Sequence, residues 1–88
     1  DLPVLLAVLS SFRDRALPHE LAAFGEVGLA GEIRPVPNGQ ERLREALKHG
    51  FRKIIVPRAN APKRSPDGVE VVAVGRIDEA IDAVAGRH

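Results

Sequence analysis

A helix with a signal at each end, followed closely by a β-branched strand, is the feature that most restricts how this chain can fold. Asn38 can cap the helix, and Glu41 stands three residues later, as in a capping box. Gly50 supplies the left-handed residue with which helices commonly end. Between these signals lies an apolar stripe at helical spacing: Leu43, Ala46 and Leu47. The sequence therefore predicts a helix that covers a small sheet.

Two strands and a loop are predicted after this helix. Lys53–Pro57 contains three consecutive β-branched residues and ends at a proline, which is typical of a short buried strand. Val69–Val74 is the second strand. The segment 58–68 is rich in Pro, Lys, Arg and Asn, so we expect an exposed loop that closes with a turn at Pro66, Asp67 and Gly68.

The remaining segments complete an alternation of helices and strands. Residues 2–12 are apolar almost throughout and predict a buried helix, although a buried strand fits the same pattern. Residues 21–28 and 31–36 predict two strands joined as a hairpin. A last helix, ended by Gly86, carries an apolar stripe at i, i+3, i+4 and i+7: Ile77, Ala80, Ile81 and Val84.

The order α-β-β-α-β-β-α predicts an α+β fold, a two-layer α/β sandwich in which helices cover a small mixed sheet. A chain of 88 residues has room for one core, so we expect a single domain over residues 1–88. The chain opens at Asp1 without Met or a basic leader, and we expect that it lacks the N-terminal part of that domain and has no signal peptide.

Charge is distributed unevenly along the chain, although the net charge is only +1. The tail from Asp67 onward is mainly acidic, whereas the middle of the chain holds cations without intervening acids: Lys48, Arg52, Lys53, Arg58, Lys63 and Arg64. Lys and Arg on a surface are what phosphate contact requires, so these residues are the predicted DNA-binding set; a solvated face is the alternative. Without Tyr or Trp, base stacking is not expected, and binding should be backbone-directed and independent of sequence.

Composition also limits the cellular compartment in which we expect the protein and the chemistry that its side chains can perform. The chain has no cysteine, which excludes disulfides, thiol catalysis and zinc–thiolate sites and fits a reducing compartment. No apolar run is long enough to cross a membrane. We therefore expect a cytoplasmic protein.

A resemblance to a known family rests on the segment FGEVGLAGEIRPVP, residues 24–37, followed by GQERLREALKHGF and KIIVP. In residue identity and spacing these segments resemble the C-terminal domain of the bacterial RadA/Sms DNA-repair ATPases, and more distantly the proteolytic domain of Lon. The resemblance implies a Lon-protease-like fold, the fold class of ribosomal protein S5. It further implies a larger parent with a zinc module and a RecA-like ATPase, and therefore ATP, Mg and Zn in other domains.

Lon-type proteolysis needs a lysine amine that acts as base towards a serine. In the resemblance, Gln40 occupies the position of that lysine, and an amide has no titratable nitrogen. The serine position falls before Asp1, and Ser10 and Ser11 have no basic partner at a telling spacing. We therefore predict no catalytic residue and no cofactor in this chain; an active Ser–Lys peptidase is the alternative.

Two further residue groups have structural explanations. The histidines His19, His49 and His88 match no metal-ligand spacing, and His49 suits a helix C-terminus. Glu26 and Glu32 flank the predicted hairpin, where pairing with Arg34 accounts for them.

The sequence thus predicts a non-proteolytic domain that supports assembly of a DNA-repair and recombination ATPase and contacts DNA. From the resemblance we expect self-association, as a hexameric ring, and single-stranded or branched DNA as partner. A recombinase partner and a location at the nucleoid are further expectations. A pure oligomerisation or protein-docking module remains a second alternative.

Overall fold

The computed structural model describes residue 2 and residues 21–86. The predicted helix at residues 2–12 therefore lies outside the described residues, apart from Leu2, which is fully buried. In chain order the elements are β1 (Leu21–Ala23), β2 (Glu26–Val27), β3 (Ile33–Arg34), α1 (Gly39–Lys48), β4 (Lys53–Pro57), a short 3-10 helix (Arg58–Asn60), β5 (Glu70–Val74) and α2 (Ile77–Val84).

A parallel sheet of three strands in the order β1-β4-β5 forms the centre of the fold. Lys53 is aligned with Leu21 on one side and with Glu70 on the other. The middle strand, β4, is buried on both faces, which explains the uninterrupted apolar run Ile54, Ile55 and Val56. The predicted bounds of this strand, 53–57, are confirmed.

Each face of the sheet carries its own apolar cluster and its own helix. Ile54 and Val56 pack with α1, whose predicted stripe Leu43, Ala46 and Leu47 belongs to this cluster. Ile55 points to the opposite face and packs with α2, where the predicted stripe Ile77, Ala80, Ile81 and Val84 also lies. We refer to these faces as the α1 side and the α2 side. The predicted fold of helices packed on a small sheet is confirmed, and it is compatible with an α+β sandwich.

The predicted strand over residues 21–28 is divided into β1 and β2 at Phe24 and Gly25. The Phe24 N–H still bonds to the Ile55 carbonyl, at 3.1 Å, but Gly25 adopts φ 148° and turns the chain away from the sheet. A side chain at Gly25 would meet Ile33 and Pro57 at 3.1 and 3.2 Å. The chain therefore leaves the parallel sheet here and forms the predicted antiparallel hairpin from β2 and β3.

The C-terminal end of α1 is formed as predicted. Gly50 has φ 84°, its N–H bonds to the Leu47 carbonyl, and the next N–H, of Phe51, bonds to the Ala46 carbonyl. These two bonds make a Schellman motif, and His49 is the C-cap residue. The motif directs the chain from α1 into β4.

The predicted capping box at the start of α1 is wrong. Asn38 is the N-cap residue, but it has left-handed geometry, φ 60° and ψ 37°, and its side chain makes no capping hydrogen bond. An N-cap side chain reaches back to the helix from an extended backbone, which Asn38 does not have. The carbonyl of Asn38 nevertheless accepts the Arg42 N–H at 3.0 Å, so the helix begins at Gly39.

Candidate nucleic-acid interface

The six cations predicted to contact DNA fall into two sets in the structure. Lys53 and Arg58 are bound to other groups of the same chain. The remaining four form no ion pair with another described residue, and we call them the cationic surface: Lys48, Arg52, Lys63 and Arg64.

Lys53 stabilises the end of α2. Its Nζ donates to the Ala83 carbonyl at 2.6 Å and lies 4.0 Å from a carboxylate oxygen of Glu70. The side chain is only 22% exposed. A carbonyl in the last turn of a helix carries partial negative charge and accepts few intrahelical bonds, so an ammonium group at this place has a structural role.

Arg58 belongs to a network around Glu79. Its Nη2 donates to Glu79 Oε2 at 2.9 Å, while Glu79 Oε1 accepts the N–H groups of Gly75 and Arg76 at 2.9 and 3.0 Å. The hydrogen bond from Gly75 and the nearby Arg58 charge lower the pKa of Glu79. This carboxylate connects the segment after β4 to the start of α2.

Lys48 and Arg52 lie on either side of the Schellman turn. Lys48 is the last residue of α1, and both side chains are exposed. Arg52 extends beside the 66–68 turn, where its Nη1 lies 3.8 Å from the position a Cβ of Gly68 would take. Arg44 lies one turn before Lys48 on the same helix and is also exposed. The prediction from the sequence did not include Arg44. Its i,i+4 spacing to Lys48 is the signal that could have identified it.

Lys63 and Arg64 project from a loop that is anchored at both ends. Ala61 and Val69 pack into the cluster on the α1 side, and the Val69 N–H bonds to the Pro66 carbonyl at 3.2 Å. This bond closes the predicted turn. The two cations between these anchors are exposed. The loop therefore holds them on the α1 side of the sheet.

The two sides of the sheet consequently differ in charge. The acidic residues of α2 are Asp78, Glu79 and Asp82, and Lys53 and Arg58 contact α2 or its side chains. The cationic surface instead belongs to the C-terminal end of α1 and to the loop packed beside that helix. This side also carries the carboxylates Glu41 and Glu45 of α1 and Asp67 of the loop, so its cations are in excess but are mixed with acids. An excess of positive charge is what phosphate binding requires.

Gln40 is the second residue of α1 and is exposed. The residue before it, Gly39, is buried against Asn60, where a Cβ would lie 2.5 Å from Asn60 Nδ2. Asn60 in turn pairs with the backbone of Val36, as Oδ1 accepts the Val36 N–H at 2.8 Å and Nδ2 donates to the Val36 carbonyl at 3.1 Å. This amide fixes the connection from β3 to α1, and with it the start of the helix that bears Gln40.

The predicted pairing of the hairpin carboxylates with Arg34 is observed for Glu32, as a contact two residues apart in the chain, whereas Glu26 is aligned with Arg34 across the hairpin. Arg34 lies opposite Glu26 in the hairpin register and donates to Glu32 at 2.9 Å. A hydrogen bond from its own backbone N–H, followed by the bond from Arg34, lowers the pKa of Glu32. His49 makes a 3.5 Å contact with Glu45, one turn earlier in α1.

The part of the chain that the structure describes contains no group of three or more His, Cys, Asp or Glu side chains that could hold a metal ion. Ser10, Ser11, His19 and His88 lie outside that part. Among the same described residues, no helix is long and apolar enough to span a membrane.

Comparison with known proteins finds one matching family model and several similar proteins that share a name. A family model described as subunit ChlI of Mg-chelatase matches residues 1–60. A DNA repair protein RadA from Pseudomonas aeruginosa is 61% identical over 84 residues, which are 96% of this chain and 18% of that protein. The RadA proteins of Escherichia coli and Bacillus subtilis are 60% and 41% identical over 92% and 98% of this chain, and 18% and 19% of their own lengths. The chain therefore spans about a fifth of the length of these relatives.

Fold and site together define a small α/β domain with a parallel sheet, a helix on each face and a cluster of cations on one side. The chain belongs to the family of the bacterial DNA repair protein RadA, and it matches the C-terminal region of those proteins. The family predicted from residues 24–57 is thus confirmed.

Proposed function

We propose that this chain is a non-proteolytic, Lon-like domain of a RadA-type DNA-repair ATPase and that it contacts the DNA backbone while it supports assembly of a ring. Residues 1–88 act as one domain. ATP, Mg and Zn are bound in other domains of the parent protein, which works in the cytoplasm at the nucleoid. The homologous relatives, which are named as DNA repair proteins, support the DNA-repair part of the proposal.

The observation that carries the proposal of DNA contact is the set of exposed cations on the α1 side that have no ion-pair partner among the described residues. Lys53 and Arg58 are engaged within the chain, whereas Lys48, Arg52, Lys63 and Arg64 are exposed and form no ion pair with other described residues. Of the six predicted residues, these four make the contact that we propose, because Lys53 and Arg58 are bound to other groups of the chain. Each phosphate contact is weak alone, so an assembly of several copies adds their contributions.

Salt-dependent DNA binding by the full-length protein tests this proposal. Each phosphate contact contributes about 0.9 to the slope of log affinity against log salt on duplex DNA, so Lys63→Ala with Arg64→Ala should reduce that slope by about 2 per copy engaged. On single-stranded DNA, where each contact contributes about 0.7, the reduction should be about 1.4 per copy engaged, and on each kind of DNA it should not depend on the sequence.

The matched control removes two positive charges from elsewhere on the domain. Arg34 and Arg58 are exposed and paired with Glu32 and Glu79, so Arg34→Ala with Arg58→Ala changes the net charge equally without touching the cationic surface. We expect the slope of this control to stay within experimental error of the parent. Equal losses of slope in both double variants would show that net charge alone causes the effect, and would refute the proposed surface.

The non-proteolytic part of the proposal rests on Gln40, whose amide cannot take up a proton at neutral pH. Incubation of the complete protein with unfolded casein, with and without ATP, should give no cleavage. Casein fragments that persist after Ser10 and Ser11 are both changed to Ala would support the alternative of a Ser–Lys peptidase whose serine lies elsewhere.

Assembly and docking are separated by measurements without DNA. Gel filtration and cross-linking of the full-length protein should show the multimer in the absence of DNA. A protein that assembles normally but has no measurable DNA affinity at low salt would instead be a pure oligomerisation or docking module. Addition of a recombinase to the same assay tests the proposed further partner.

A further inference from the structure

Arg44 is an exposed cation of α1 that lies outside the set predicted from the sequence. It forms no ion pair with another described residue. A single exposed arginine is common on protein surfaces and needs no ligand to explain it. Arg44 differs because the pitch of α1 and the topology of the sheet direct it towards the other cations of this side.

The pitch of α1 places Arg44 and Lys48 on the same flank of the helix. Consecutive residues of an α-helix are separated by about 100° around the axis and about 1.5 Å along it. Leu43 is buried against the sheet, so Arg44 projects about 100° and Lys48 about 140° to one side of it. Arg42 projects about 100° to the other side. The helix therefore has one flank with two cations and an opposite flank with one.

The topology of the sheet decides which flank faces β5. The parallel strands β1 and β4 are neighbours, α1 precedes β4 and packs on one face, and β5 adjoins β4 on the side away from β1. Connections of this kind between parallel strands are right-handed. Since α1 runs back to the starting end of the strands, the flank about a quarter turn after Leu43 is turned towards β5. That flank carries Arg44 and Lys48.

The loop before β5 lies next to this flank and brings further cations. The first and last residues of the segment 61–69 pack into the same apolar cluster as α1. Lys63 and Arg64 are exposed between these two anchors. Arg52, which follows the Schellman turn, extends beside the turn that ends the loop. Cations therefore stand on the helix, on the loop and at the end where the two meet.

The carboxylates of this side lie on the outer ridge of α1 and in the turn. Glu41 and Glu45 project about 160° and 200° from the buried direction of the helix, away from the sheet. Glu45 also contacts His49 at 3.5 Å. Asp67 is the acidic residue of the loop. A polyanion that follows the flank facing the loop therefore meets more cations than carboxylates.

We propose that Arg44 is a further DNA-contact residue, and that the backbone of one DNA strand follows the flank of α1 that faces the loop. The inference rests on the proposed contact with DNA and specifies the path of the strand. Arg44 and Lys48 are about 6 Å apart along the helix, which is close to the distance between successive phosphates of one strand. The two side chains therefore suit adjacent phosphates, and the planar guanidinium of Arg44 suits two oxygens of one phosphate.

The salt dependence of DNA binding by the full-length protein tests Arg44 against a matched position on the same helix. Arg44→Gln and Arg42→Gln each remove one charge from an exposed arginine, and glutamine has nearly the same helix propensity. Arg44→Gln should lower the slope of log affinity against log salt by about 0.9 per copy engaged on duplex DNA and by about 0.7 on single strands. Arg42→Gln should stay within experimental error of the parent. Arg44→Lys keeps the charge and should retain the slope.

The outcomes separate this path from the proposed function. A parent slope for Arg44→Gln, or an equal loss for Arg42→Gln, would overturn the proposed path. If Arg44→Gln keeps the parent slope while Lys63→Ala with Arg64→Ala lowers it, the path is wrong and the proposed DNA contact stands. If only Arg44→Gln lowers the slope, the contact along α1 stands and the proposed contribution of the loop fails. If neither variant lowers it, both proposals fail.

Discussion

Replacement of Asn60 by alanine should destabilise the fold by about 2–4 kcal/mol. The Asn60 amide makes two hydrogen bonds to the backbone of Val36, at 2.8 and 3.1 Å, and Val36 is only 6% exposed. Asn60→Ala leaves one buried N–H and one buried carbonyl without these partners, and each such loss costs about 1–3 kcal/mol. Partial access of water at the half-buried Asn60 reduces the sum to the stated range.

The near-isosteric variant Asn60→Asp gives a sharper test because its effect depends on pH. At pH 7 its carboxylate still accepts the Val36 N–H, but it places a second oxygen against the Val36 carbonyl, and the loss should be about 1–3 kcal/mol. This contact raises the pKa of the introduced carboxyl group above its ordinary value of about 3.9. The protonated form can donate to the carbonyl, so the deficit relative to the parent should shrink as pH falls through the raised pKa.

Urea unfolding of the three proteins at pH 7 and pH 4 measures both effects, with each variant compared with the parent at the same pH. The deficit of Asn60→Ala should be the same at both pH values, since alanine does not titrate. A deficit for Asn60→Ala below about 0.5 kcal/mol, or an equal deficit for Asn60→Asp at both pH values, would show that the Val36 pairing does not hold the β3–α1 connection.

Further predictions concern the other polar contacts. Lys53→Met removes the charged bond to the Ala83 carbonyl but keeps an aliphatic stem, so the free energy of unfolding should fall by about 1–3 kcal/mol without a change in the salt slope of DNA binding. The pKa of Glu79 lies below its ordinary value of 4.5, so its stabilising contribution is complete above that pH and is lost as pH falls through the lowered value; Glu79→Gln should therefore weaken the acid dependence of stability in a pH series of urea titrations. Asn38→Gly should leave stability unchanged or raise it by up to about 1 kcal/mol in thermal unfolding, because glycine relieves the left-handed backbone and no capping bond is lost.

Much of the fold could be predicted from the sequence because its signals are local. Three consecutive β-branched residues ending at Pro57 located β4, and Gly50 located the end of α1, since left-handed geometry at that place strongly favours glycine. The apolar stripes of both helices predicted which of their faces are buried. These features depend on residues a few positions apart.

Other features depend on contacts between distant parts of the chain. The division of residues 21–28 into two strands follows from the close approach of Gly25 to Ile33 and Pro57, and the left-handed geometry of Asn38 accompanies the packing of Gly39 against Asn60. Neither contact has a sequence spacing from which it could be predicted.

The sequence by itself determined the family, the presence of a cationic middle segment and the amide at Gln40. Only the tertiary structure decided which cations are bound within the chain, because alternate residues of a strand point to opposite faces of the sheet and the helices bring up distant partners. Lys53 lies on the α2 side with Ile55, where the Ala83 carbonyl binds it, and Arg58 is drawn to Glu79. The packing of the sheet and helices therefore separates Lys53 and Arg58 from the cationic surface. The order of charges along the sequence does not predict this separation.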